Sequence, residues 1–164
     1  MTTQNGAPES GSSEVEQRLS AEGLTVPSVA APVAVYVPAV TVGQFVYTSG
    51  QLPLVSGSLE RTGKVGAEVS ASGATQEARK AALNALAAIK AQIGDLDRVT
   101  RVVKVTGYVA SAPDFTGQPG VINGASELFG TAFGDAGIHA RSAVGVASLP
   151  MDAAVEVDVV VEFR

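Results

Sequence analysis

The sequence predicts an α+β domain in which helices cover one face of a β-sheet. Three observations carry this expectation. One long segment repeats its apolar residues at helical spacing, and the last segment alternates valines with acids at strand spacing. The elements also follow one another as hairpin, helix, strand, helix and two strands. The chain of 164 residues is the size of one domain, at about 150 residues per domain, and long enough to bury its own core.

Residues 1–12 are rich in Gly, Ser, Thr, Asn and Pro without periodicity, the composition of a disordered tail, and residues 13–164 read as a single domain. Ser13 followed by Glu16 fits a capping box, opening a short helix through Val15 and Leu19 that Gly23 closes. The apolar run from Leu24 to Val40 is broken by Pro27, Pro32 and Pro38 and is shorter than the roughly 20 residues of a membrane span. Each proline removes a donor and favours extended chain before it, so residues 13–32 read as an N-terminal extension with a short helix. Val33–Val40 and Gln44–Ser49 then form a hairpin about Val42-Gly43. Four glycines in 56–73 mark a loop.

From Thr75 to Ile93 the pattern becomes helical: Ala82, Leu86, Ile89 and Ile93 recur at spacings of four, three and four, and Gly94 supplies the stop. Val99–Val109 is a β-branched strand, Ser111–Gly120 a loop and Val121–Phe133 a second helix. His139–Ala147 and Ala153–Phe163 close the chain as two strands joined around Leu149-Pro150.

There is no cysteine, no tryptophan and one histidine. Thiol nucleophiles, disulfides, Cys-based zinc sites and iron–sulfur clusters are thereby excluded. A metal site built on His139 and carboxylates alone is a poor prospect, so no metal and no cofactor are expected. Eleven basic against sixteen acidic residues give a net charge of −5, and the basic residues are scattered, which disfavours nucleic acid. The start of the chain lacks a basic segment followed by an apolar run, leaving the cytoplasm as the default location. Gly57–Lys64 is no phosphate loop, because five residues separate its glycines and Val65 stands where Ser or Thr would bind magnesium.

In the final strand Val155, Val157, Val159, Val161 and Phe163 take one face, and Glu156, Asp158 and Glu162 the other. A strand with one solvated face is the ordinary explanation. A return of the chain around Leu149-Pro150, however, would bring Arg141 close to an acid on the neighbouring strand. In a pocket such a pair could bind a small carboxylate and hold a water; on a surface it would be an ion pair of little consequence.

The segment Ala140-Arg141-Ser142-Ala143-Val144-Gly145-Val146-Ala147-Ser148-Leu149-Pro150, followed by Val155-Glu156-Val157, resembles the C-terminal signature of the RidA (YjgF/YER057c/UK114) family. Three further blocks agree in order: Tyr36-Val37-Pro38-Ala39-Val40, Tyr47-Thr48-Ser49-Gly50-Gln51-Leu52-Pro53, and Asp114-Phe115 leading to Asn123. The resemblance covers residues 33–164. It implies a chorismate-mutase-like fold, a homotrimer with ligand pockets between subunits, and hydrolysis of reactive 2-imino acids or enamines to 2-keto acids and ammonia. It further implies that Arg141 clamps the substrate carboxylate and Glu156 activates water, with Tyr36, Ser49, Gly50 and Asn123 binding substrate. Alternatives stand beside several of these roles. Tyr36 could be an interface or core aromatic, Ser49 turn chemistry, Asn123 a helix cap, and His139 a structural histidine.

Three features depart from the family pattern. Ala143 stands where a small thiol residue is common, the loop from Phe115 to Asn123 is longer, and about thirty residues precede the resemblance. A divergent subgroup results, with three competing functions: a 2-imino acid deaminase, a non-enzymatic trimer that binds small carboxylates, and an endoribonuclease, which the charge disfavours.

Overall fold

A computed structural model describes residues 13–29 and 35–164. The expected tail at residues 1–12 and the start of the expected Val33–Val40 strand lie outside the described residues. Helix α1, Glu14–Ala21, opens as its capping box predicts, with Ser13 Oγ accepting from Glu16 N at 3.1 Å. Asp97 supplies the other first-turn acceptors, taking hydrogen bonds from Glu14 N and Val15 N. Strands β1 (Ala39–Val42) and β2 (Phe45–Thr48) form the hairpin, turning on Gly43 at φ 58°. The first strand begins later than expected, because Pro38 cannot donate to a ladder.

Helix α2 spans Ala71–Ile93 and starts one turn before the sequence pattern, its Ser70 side chain accepting from Gly73 N at 3.0 Å. Strand β3 is Val99–Ala110. Helix α3 is Gln118–Phe133, with Pro119 in its first turn, where a missing N–H costs nothing. The expected long loop from Phe115 to Asn123 is therefore mostly helix. Asn123 lies inside α3, so it is no cap. Strands β4 (Ala140–Val146) and β5 (Val155–Phe163) complete the chain.

The sheet order is β1-β2-β5-β3-β4, antiparallel except for the β3–β4 pair. This corrects the expected neighbourhood of the last two strands. Strand β3 stands between them, because α3 carries the chain across to a parallel β4 at the edge, and β5 then returns to the middle. Helices α2 and α3 cover one face, over a core of valines from β3 and β5 and the alanine stripe of α2. The other face is open.

The two covering helices pack closely. A Cβ built on Gly124 of α3 would lie 2.1 Å from the Thr75 carbonyl oxygen of α2. Backbone cannot swing aside as a side chain can, so Gly124→Ala is expected to cost about 1–3 kcal/mol through overpacking. Urea denaturation monitored by circular dichroism checks this; an unchanged midpoint would contradict the packing.

Candidate active site

Arg141 sits on β4 opposite Val105 of β3, and opposed residues share a face, so its side chain points toward the helices. There Nη1 donates to Asn123 Oδ1 at 2.8 Å and to Ser126 Oγ at 3.2 Å, while Nη2 donates to the Pro119 carbonyl at 3.3 Å. Three of five guanidinium donors are thus fixed on α3. One Nη2–H and the Nε–H have no hydrogen-bond partner among the described residues. Two free donors are what the two oxygens of a carboxylate require. Ala143, on the same face, packs its methyl against the core.

Glu156 sits on β5 opposite Tyr108 of β3 and projects from the open face. Its Oε1 lies against Gly50, where a Cβ would come within 1.8 Å, so only glycine leaves room for the carboxyl. Burial pushes the Glu156 carboxyl above the usual carboxylate range, and the nearby Asp158 charge adds to the rise. Asp158 itself accepts from the Tyr108 hydroxyl at 3.0 Å. Tyr108 and Asp158, not singled out from the sequence, thus form the polar flank of Glu156; their signal was the alternation of β3 and β5.

Ser49 donates from Oγ to the Val37 carbonyl at 2.6 Å, and its N–H donates to the Pro38 carbonyl. Its hydroxyl proton therefore does turn chemistry, tying the Tyr36–Pro38 segment to the end of β2. Tyr36 is exposed and shares with Gly50 a cavity of about 500 Å³, also lined by Pro38, Leu52, Asn84 and Met151.

The six residues therefore fall into two groups. Arg141 and Asn123 meet on the helix side of the edge strand. Glu156, Gly50, Ser49 and Tyr36 gather around β5 and the end of β2. Within one chain β3 separates Arg141 from Glu156, and they project from opposite faces. The expected contact between Arg141 and an acid of the next strand is not made.

The chain matches the family model described as "YjgF/chorismate_mutase-like, putative endoribonuclease" over residues 16–163. It is 46% identical over 156 residues to Protein TCP17 of Trypanosoma cruzi, covering 93% of this chain and 96% of that one. It is 33% identical over 141 residues to the 2-iminobutanoate/2-iminopropanoate deaminase of Escherichia coli K12, covering 83% and 94%. A crystal structure of a protein of unknown function from Agrobacterium tumefaciens superposes with a TM-score of 0.87 at 47% identity, covering 92% of each chain.

The chain belongs to the RidA family.

Membership fixes the fold as chorismate-mutase-like, in line with the five-stranded sheet and its covering helices. In this RidA-family chain the open face carries exposed Val40, Val42, Phe45, Tyr47 and Val144. Cross-strand register sets these residues on the same side as Glu156. None of the described helices is long and apolar enough to cross a membrane.

Proposed function

We propose that the protein hydrolyses small reactive 2-imino acids, or the enamines that tautomerise to them, to 2-keto acids and ammonia. The site is composite, formed in a homotrimer where the Arg141–Asn123 group of one protomer meets the Glu156–Gly50 group of its neighbour. The observation that carries this reading is the guanidinium of Arg141, held on α3 by three hydrogen bonds with two donors to spare. The exposed apolar residues of the open face support assembly, because monomers rarely leave such a surface to water. The name of the E. coli relative supports the reaction class.

In this mechanism Arg141 takes the substrate carboxylate in its fork and so fixes the C=N carbon beside Glu156. The Glu156 carboxylate accepts a proton as water adds to that carbon. It returns that proton to nitrogen to give the carbinolamine, then takes the hydroxyl proton and passes it to the amino group, so that the C–N bond breaks as the carbonyl forms. One water is consumed and one ammonia leaves, with the raised Glu156 pKa keeping the group able to serve in both directions. Tyr36 and the backbone at Gly50 line the chamber beside the reacting carbon.

The open face argues against a polyanionic substrate. Glu156, Asp158 and Glu162 lie on it, and the Lys104 ammonium there donates to Ser142 Oγ at 2.9 Å. The test is an assay that generates 2-aminoacrylate and follows 2-keto acid release. The wild type is expected to accelerate release and Arg141→Ala to lose most of that acceleration. Equal rates with and without the protein, or with wild type and Arg141→Ala, would contradict the reading.

A further inference from the structure

Ser126 and His139 have no part in the roles assigned above, yet they form a bonded chain that ends on Arg141. Asn123, Ser126 and Phe129 recur every three residues on α3 and so share one helix face. His139 and Arg141, two apart along extended chain, project toward that face. Phe129 meets the imidazole edge-on, with ring centroids 6.0 Å apart and planes at 89°.

Both ring nitrogens are engaged. Nδ1 lies 2.6 Å from the Gly137 carbonyl oxygen and Nε2 lies 2.9 Å from Ser126 Oγ. A carbonyl can only accept, so the hydrogen of the neutral ring sits on Nδ1. Nε2 is then an acceptor, and the hydroxyl donating to it is Ser126. With its single proton committed to His139, Ser126 Oγ can only accept from Arg141 Nη1.

We infer that His139 and Ser126 are positioning residues for the carboxylate clamp. The imidazole fixes the direction of the Ser126 hydroxyl, and the hydroxyl offers its lone pair to the guanidinium. This inference rests on the reading of Arg141 as the group that binds the substrate carboxylate. Remove the acceptor at position 139, and the hydroxyl is free to turn its proton toward the arginine, setting donor against donor. Nη1 then keeps Asn123 but loses its second anchor, and the two uncommitted donors lose their fixed direction.

A carboxylate contact is made alike in the ground state and the transition state, so its loosening raises KM and spares kcat. His139→Leu keeps an apolar group against Phe129 but removes the acceptor. His139→Gln returns a carbonyl oxygen able to accept from Ser126. Both His139→Leu and Ser126→Ala are expected to raise KM roughly five- to tenfold, the size of one hydrogen bond, with kcat within about twofold of wild type. His139→Gln recovers most of the loss. The double variant is no worse than either single one, since both cut the same chain. A fall in kcat at constant KM, additive losses, or a His139→Leu variant equal to wild type would overturn the inference.

A second readout is independent of turnover. His139 is the sole histidine, so a ring ¹⁵N spectrum at alkaline pH, where an imidazole is neutral, reports this group alone. The expected form is the Nδ1–H tautomer, with Ser126→Ala moving the Nε2 resonance. An Nε2–H tautomer would overturn the chain of bonds. An Nδ1–H tautomer in a wild type that does not hydrolyse imines would support the chain and contradict the hydrolase reading.

Discussion

Arg141→Ala is expected to lower kcat/KM for 2-imino acid hydrolysis by about 2–5 kcal/mol, roughly thirty- to several-thousand-fold, as when one partner of a desolvated charged pair is removed. The guanidinium is only partly buried and its three anchors are on α3, so the variant retains the sheet and the core. The loss therefore belongs to substrate binding and should exceed any change in stability. Arg141→Lys separates charge from geometry. A lysine ammonium supplies the charge without the planar fork, and it cannot hold three acceptors on α3 while meeting two carboxylate oxygens. The lysine variant is expected to fall between wild type and alanine. Steady-state kinetics of all three against 2-aminoacrylate check the order; a lysine variant at wild-type level would show that only charge matters.

Glu156→Gln is expected to cost a factor of about 10²–10⁴ in kcat, the usual contribution of a positioned general acid–base group. The same substitution has an opposite effect on stability. Burial and Asp158 raise the folded-state pKa of Glu156 above its value in the unfolded chain. Such a group contributes its full stability below the unfolded pKa and loses it as pH rises through the folded one. Above its folded-state pKa the ionised Glu156 is thus a burden on the fold, and glutamine relieves it. Glu156→Gln should melt no lower than wild type at pH 7 while being far less active, and the rise of wild-type kcat/KM with pH should set in above the ordinary carboxylate range. A variant that is both inactive and markedly less stable at pH 7 would point to a structural role.

Much of the fold could be read from local chemistry. The Ser13–Glu16 capping box and the alternation of β5 each depend on near neighbours, and both appear where the sequence puts them. The first turn of α2 was hidden because Ser70, Ser72 and Gly73 have the composition of a loop; the Ser70 cap turns them into a helix start. Pro119 likewise resembles loop punctuation but sits in the first turn of α3. Strand order was not legible. Alternation tells which face a residue takes, not which strand lies beside it, and the insertion of β3 between β4 and β5 depends on the crossover through α3.

The same limit governs the site. Arg141 and Glu156 stood out as residues, but their opposite projections follow only from the register of both strands on β3. Ser126 left a fainter trace, three residues after Asn123 on one helix face. His139 reads as a structural histidine from the sequence, whereas its bonds to the Gly137 carbonyl and Ser126 Oγ make it the start of the chain that ends on Arg141. The absence of cysteine excludes thiol chemistry, and position 143 is filled by a packed methyl.

The central claim is that one active site draws Arg141 and Glu156 from two different protomers, and subunit mixing tests it most directly. Arg141→Ala and Glu156→Gln chains, each inactive alone, are co-expressed and the mixed oligomers assayed for 2-imino acid hydrolysis. In a randomly mixed homotrimer each interface has a one-in-four chance of pairing an intact Arg141 with an intact Glu156, so activity should return to about a quarter of wild type. Mixed trimers as inactive as the parent variants would contradict the composite site.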